Sequence, residues 1–251
     1  MFSPPLALAS LSGEADADWA RTGAPFAGCA FLGGIAIDER SRTAARELVE
    51  RDRNEFLPAD PFAFVDRQLE ALESVPMRPA VNVRTTTAEA LVPAARVCRD
   101  REALLEINAH CRQDELCAVG CGERLLADTD RLRSYVETAT ETGATTGVKV
   151  RAEVPGVDLP TLASELEDAG AAFVHVDAMD SESVIADIVA ETGLYVIANN
   201  GVRDEPTVRE YADHGADAVS VGRPSDNPIV LERVRNAVNS HLGLERGSVP
   251  R

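Results

Sequence analysis

Eight short apolar runs punctuate the sequence, at 6–10, 26–32, 80–84, 104–108, 147–151, 172–176, 195–199 and 218–222. Amphipathic, acid-rich stretches with helical spacing lie between them, at 39–53, 87–99, 128–142, 159–169, 181–192, 205–214 and 228–242, with an extra one at 61–74 before the third run. Short continuous apolar runs alternating with helices imply parallel strands buried on both faces. Eight such units in a chain of 251 residues fit a closed α/β barrel, a (β/α)8 TIM barrel in a single domain over 1–242. A doubly wound open sheet shares the alternation, but it announces itself with a glycine-rich turn after the first strand, and Ser10-Leu-Ser-Gly13 is not one. Gly143, Gly170, Gly193 and Gly215 each follow a helical stretch, where a left-handed C-terminal residue is expected. Asp158 and Asp180 stand at expected N-caps. The last residues, 243–251, read as a disordered tail.

The charge balance narrows the function classes. Acids number 42 and bases 25, for a net charge of −17. Of those bases 24 are Arg, and the one lysine is Lys149. An acid-rich surface nearly free of Lys resembles proteins adapted to high internal salt, where carboxylates keep the surface hydrated and self-repelling. At about 1 M salt the screening length is roughly 3 Å, so such a surface repels RNA far less than in dilute buffer. No apolar run reaches the ~18 residues of a membrane span. The opening MFSPPLALAS has no basic segment before its short apolar run and reads as a first strand rather than a signal peptide. A cytoplasmic protein without a membrane partner is expected. Its five cysteines do not suggest a disulfide framework. Cys29 and Cys98 sit in apolar stretches and read as small buried hydrophobes.

In such a barrel the chemistry lies beyond the carboxyl ends of the strands. There this chain carries Asn82 and Arg84, Glu106, Asn108, His110 and Cys111, Lys149 and Arg151, His175 and Asp177, Asn199, Asn200 and Gly201, and Gly222 and Arg223. Polar residues inside apolar strands are costly unless they are paired or meet a ligand. Lys149 stands out because every other base is Arg, and a compact ammonium reaches a single acceptor in a tight space as a guanidinium does not. Asn199, Gly201, Gly222 and Arg223 close strands seven and eight, where phosphates bind in these barrels on backbone N–H groups that glycines leave open. Cys111, in the loop after strand four, is a candidate acid or nucleophile. Its spacing to Cys117 and Cys121 matches none of the common metal-ligand pairs, so those two read as packing residues and no metal is expected.

Six motifs in order resemble the dihydrouridine synthases, FMN-dependent barrels related to dihydroorotate and dihydropyrimidine dehydrogenases, and among them a shorter archaeal branch. Leu8-Ala-Ser-Leu-Ser-Gly-Glu-Ala-Asp16 is similar to the family's L-A-P-M-x-G-x-T-D, without its Pro, Met and Thr. Glu106-Ile-Asn-Ala-His-Cys111 resembles the N-x-G-C-P signature, keeping Asn and Cys. Gly120-Cys-Gly-Glu-Arg-Leu-Leu-Ala-Asp128 resembles G-x-G-x-x-L-L-x-D, and Val148-Lys-Val-Arg151 resembles V-K-I-R. Val196-Ile-Ala-Asn-Asn-Gly201 is similar to V-I-A-N-G-D-I with an extra Asn, and Val221-Gly-Arg223 to I-G-R.

The resemblance implies an FMN-dependent oxidoreductase that reduces the C5–C6 double bond of uracil in tRNA, with NAD(P)H as the electron donor. Lys149, His175 and Asn82, where the family has Gln, would hold the flavin ring and ribityl chain. Asn199, Gly201, Gly222 and Arg223 would take its phosphate. Asn108 would touch the pyrimidine, and Cys111 would be the acid that protonates C5. The tRNA-modifying members carry a helical RNA-binding domain after the barrel, which this chain is expected to lack. His110-Cys111-Arg112 also replaces the family's Gly-Cys-Pro. Both departures leave room for other readings. One is a free pyrimidine or other small conjugated substrate, as in dihydroorotate dehydrogenases; another is a flavin-binding barrel without catalysis. Arg84, Arg112, Arg151 and Arg203 near the mouth suit either an RNA backbone or a substrate carboxylate, and Arg151 is the first choice for substrate binding.

Overall fold

The computed structural model describes residues 1–242, and the tail expected at 243–251 lies outside them. Its strands are β1 (Leu6–Leu8), β2 (Cys29–Ala36), β3 (Arg78–Arg84), β4 (Leu104–Asn108), β5 (Thr145–Arg151), β6 (Phe173–Asp177), β7 (Tyr195–Asn199) and β8 (Ala218–Val221). They close into one barrel in sequence order, every neighbouring pair parallel, with β8 against β1. Helix α1 (Ala17–Gly23) follows β1, while α2 (Glu39–Glu50) and α3 (Pro61–Glu70) follow β2, and α4 (Leu91–Asp100) follows β3. After β4 come α5 (Asp114–Ala118), α6 (Glu123–Leu126) and α7 (Thr129–Thr140). The remaining strands lead into α8 (Leu159–Asp168), α9 (Val184–Glu191), α10 (Glu205–Asp213) and α11 (Pro228–His241), the last after a 3-10 turn, Arg223–Asp226. No helix among the described residues is long and apolar enough to cross a membrane.

The strands read as near-continuous apolar runs because both faces are covered, yet the faces differ. Successive side chains point to opposite sides. Val148, Val150, Val174, Val176, Val196 and Ala198 face the helices and join the large core between sheet and shell. The alternate positions face the barrel axis. At its amino-terminal end these are Ala7, Cys29, Phe31, Ala80, Leu104, Phe173, Ile197 and Ala218, a dry floor. Cys98 is buried on the helical side, so both it and Cys29 act as apolar filling.

The sequence reading missed α1, whose first turn is capped by the Asp16 side chain accepting from the Trp19 amide at 2.9 Å, and the two short helices α5 and α6. Asp180 is no cap: it has φ +57°, and α9 starts later, after Ser183. Asp158 does stand at the start of α8, but its carboxylate accepts from the Thr161 hydroxyl at 2.7 Å rather than from a backbone amide. Gly143, Gly170 and Gly215 are left-handed as expected. Gly193 is not. Its amide donates instead to the Glu167 carboxylate, which ties α8 to the start of β7.

Gly147 is the floor position contributed by β5, and a Cβ there would lie 2.5 Å from the ring and the carbonyl oxygen of Phe173. Gly147→Ala should therefore cost about 1–3 kcal/mol, the range for overpacking a full core, read as a lower urea midpoint. An unchanged midpoint would show the floor to be loosely packed.

Candidate active site

Above the floor the axis-facing positions turn polar. Asn82, Glu106, His175 and Ser220 are fully buried there, and Asn108, Lys149 and Arg84 lie nearly as deep. A chain of contacts crosses five strands. Asn108 Nδ2 donates to Asn82 Oδ1 at 2.9 Å, and Asn82 Nδ2 donates to Glu106 Oε2 at 2.5 Å. Glu106 Oε1 lies 2.6 Å from His175 Nδ1, and His175 Nε2 lies 2.7 Å from Ser220 Oγ. Ser220 Oγ in turn sits 2.9 Å from Asn199 Oδ1, so its one proton serves one of these two neighbours at a time.

The charge state follows from burial and neighbours. Burial, then the Lys149 charge, pushes His175 down to about 4, against the pull of Glu106. Burial works to raise the Glu106 carboxyl, but His175, Lys149 and the Asn82 amide outweigh it and hold the group below its ordinary range. At neutral pH the pair is therefore a neutral imidazole giving its Nδ1–H to a carboxylate.

Lys149 has no such partner. It is 2% exposed, and its ammonium makes no hydrogen bond or ion pair with any described residue. Burial lowers its pKa, while Glu106 and Asp177 oppose the shift from either side. A lysine whose stem is buried and whose ammonium has no acceptor among the described residues fits a site that meets an electron-rich or anionic ligand.

The phosphate side of the expected site is open. A Cβ at Gly201 or Gly222 would meet nothing within 4 Å. No described residue accepts from the amides of Gly201, Gly222 or Arg223. Gly201 has φ +67°, a conformation that favours glycine. Asn199 is half-buried beside them, and the Arg223 side chain is exposed.

Three sets of expected site residues have contacts within the protein. Asn82 and His175 do not line the mouth. Both polar atoms of Asn82 and both nitrogens of His175 have partners within the buried chain, through which they position Glu106, Asn108 and Ser220; Asn82 keeps a second N–H. Cys111 is buried against α2 and α5. Asn108 Oδ1 accepts from the amides of His110 and Cys111, at 3.3 and 3.2 Å, which closes the turn after β4. The Cys111 thiol packs with Ala44, Leu48, Leu116 and Cys121, and burial pushes it up to about 11. Cys121 is buried in that cluster, and Cys117 Sγ donates to the Cys111 carbonyl at 3.6 Å. Third, Arg84 is not free for a ligand. It pairs with Glu55 at 2.6 Å and also donates to Ser12 Oγ, which pins the α2–α3 connection and the loop after β1 over that side of the mouth. Arg151 reaches Glu123 at 3.3 Å, and Arg203 lies 3.7 Å from Asp204. Arg112 is exposed.

What sequence reasoning left without a role is Glu106, Asp177, Ser220 and His110. His110 Nε2 lies 3.3 Å from Asp177 Oδ2, while Asp177 Oδ1 accepts from Asn200 Nδ2 at 2.9 Å. Counting in twos from Asn108, His175 and Gly222 reaches the first three, so the period of the strand was the available signal.

No family model matches the chain. An uncharacterized protein of Methanocaldococcus jannaschii is 24% identical over 229 residues, covering 86% of this chain and 87% of that one. Among solved structures, DHODH from Eimeria tenella in complex with ferulenol superposes with a TM-score of 0.65 at 16% identity, over 94% of this chain and 80% of that one. Morphinone reductase in complex with tetrahydroNAD gives 0.66 at 14% identity, over 93% and 87%. Thiamine phosphate pyrophosphorylase from Pyrococcus furiosus gives 0.57 at 13% identity, over 95% and 96%. At these identities the likeness is one of fold.

The buried pair makes stability depend on pH. His175 is depressed from 6.5 to about 4, so the unfolded chain binds its proton first as pH falls. Stability is then full above about pH 6.5 and is lost on acidification toward 4. In His175→Gln that slope should flatten in denaturant titrations across the window. A slope equal to wild type would place the acid sensitivity elsewhere.

Proposed function

We propose that this protein is an FMN-binding oxidoreductase, similar in chemistry to the dihydrouridine synthases, that reduces the C5–C6 double bond of a uracil ring in tRNA using electrons from NAD(P)H. The observation that carries the reading is Lys149: the chain's one lysine, buried, without an acceptor among the described residues and central among the polar strand ends. The fold shared with DHODH and morphinone reductase supports it.

The residues present fit such a cofactor at both ends. The free amides of Gly201, Gly222 and Arg223 and the open space at both glycines suit a phosphate, with the Arg223 guanidinium adding charge from outside. Lys149 suits the electron-rich edge of the ring, where a fixed cation stabilises negative charge that builds on reduction. FMN, when bound, supplies the hydride. Within the chain, Glu106 holds a charge beneath Lys149, and the Asn82–Glu106–His175–Ser220 contacts hold that layer together. Asn108 is held by Asn82 through its amide nitrogen while its oxygen shapes the loop, so it orients the substrate side of the mouth.

A free pyrimidine or another small conjugated molecule is the second reading. The rim arginines favour it: Arg84, Arg151 and Arg203 face Glu55, Glu123 and Asp204, and of this group Arg112, with Arg223, has no carboxylate partner among the described residues to keep it from an RNA backbone.

The test is the visible spectrum of protein purified in molar salt, with the mass of whatever denaturation releases. Released FMN is expected. A colourless protein that also fails to take up added FMN overturns the oxidoreductase reading. Lys149→Met should weaken FMN binding about 10- to 100-fold, the worth of one charge-assisted contact, and Lys149→Arg should not restore it. Wild-type affinity in both would remove the central inference. Unmodified tRNA and free uracil offered to the reduced protein separate the two substrate readings.

A further inference from the structure

We propose that His110, oriented by Asp177, is the residue that exchanges a proton with the substrate, in the place where the sequence pointed to Cys111. This rests on the oxidoreductase reading and supplies the acid that reading lacks.

The geometry narrows the choice by what each group is already doing. Cys111 lies in an apolar cluster with α2 and α5. Both nitrogens of His175 are committed below the mouth. Lys149 is needed as a fixed cation. His110 remains, at the carboxyl end of β4, with its side chain 28% exposed. It is held from two sides. Asn108 Oδ1 takes its amide, and Asp177 takes Nε2, while Asn200 fixes the other oxygen of Asp177. The carboxylate therefore decides which ring nitrogen is left over. That nitrogen, Nδ1, is buried and has no partner among the described residues. A buried polar atom without a protein partner calls for a ligand, a water or an ion. An acid or base fixed by a carboxylate behind it is the arrangement by which histidines trade protons in catalysis.

The groups facing His110 come from three strands. Burial lowers its pKa and the Lys149 charge on β5 lowers it further, whereas Asp177 on β6 and Glu106 on β4 raise it; the net direction is down from 6.5. In the reductive direction a hydride adds to one carbon of the substrate's double bond and the π pair moves to its neighbour. That carbon takes the proton from the Nδ1–H of the His110 imidazolium, and the neutral imidazole recovers a proton from water. The two electrons come from the reduced flavin, recharged by a reduced nicotinamide. The protonated form is the working acid, so reductive turnover falls as pH rises through the His110 pKa.

Two readouts test this. The first is an NMR titration of the imidazoles, with His110→Gln identifying the resonance. His110 should titrate below 6.5, and Asp177→Asn should lower it further by removing the carboxylate that supports the cation. The second is turnover of an unmodified tRNA transcript and of free uracil against pH. His110→Gln should lower kcat about 10²- to 10⁴-fold, erase the basic fall and leave bound FMN unchanged, while Cys111→Ala should keep the wild-type profile. A protein without FMN overturns the oxidoreductase reading and this role together. A flavoprotein in which His110→Gln keeps the wild-type rate and profile overturns the His110 role alone. Where neither probe turns over, the titration decides: a His110 silent between about pH 4 and 8, or indifferent to Asp177→Asn, overturns the assignment.

Discussion

The contact on which the polar interior depends is the one between Glu106 and His175, 2.6 Å apart and wholly buried. An ionised carboxylate at that depth is affordable only when its oxygens are all taken. One oxygen meets His175 and the other the Asn82 amide. Each partner passes the constraint on: Asn82 to Asn108, His175 to Ser220, Ser220 to Asn199. Strands on opposite sides of the barrel are thereby tied through polar bonds where the floor beneath uses only packing. Glu106 is also one of two carboxylates whose charge favours the Lys149 ammonium, the other being Asp177. Removing Glu106 would leave Asp177 alone to favour that cation and would break the network.

The barrel divides along its axis for a physical reason. The amino-terminal floor, from Ala7 to Ala218, is apolar and filled by the rings of Phe31 and Phe173, 5.8 Å apart. The same phenylalanine of β2 also lies against the His175 ring at 5.1 Å. Dry packing below thus fixes the imidazole that the polar layer above needs in one orientation. Stability and chemistry share strands but not side chains: in β6, Phe173 packs, His175 links and Asp177 orients.

Most of the fold was legible in the sequence. Each expected run overlaps its strand, and even the extra helix before β3 stands where the pattern put it. The losses have causes. Helix α1 is seven residues opening on Ala-Asp-Trp, too short for a hydrophobic period to show. The stretch between β4 and α7 hides two helices of five and four residues for the same reason. The site was legible as a set of positions but not as a set of roles. Which polar residues face the axis follows from a period of two. Whether one meets a ligand or another side chain is a matter of distance, and no spacing in the chain distinguishes Asn82, spent on Glu106, from a free amide. Cys111 and His110 are adjacent, and only the turn closed by Asn108 decides which of them faces Asp177.

The pressures on surface and interior meet at Lys149. Outside, every cationic position is arginine, and most of those whose partners are seen pair with the abundant carboxylates. The mouth cannot use that solution. A guanidinium carries five donors in a rigid plane and needs several acceptors at once. Beside Lys149 the neighbours in register are Asn108 and His175, each already committed. An arginine there would bring more donors than the mouth has acceptors to meet, at about 1–3 kcal/mol for each donor left buried and unpaired. An ammonium on a flexible stem leaves less unpaired and needs less room. The bias that removed lysine from the rest of the chain thus stops where the interior geometry makes the two cations unequal, which is why composition alone draws attention to Lys149.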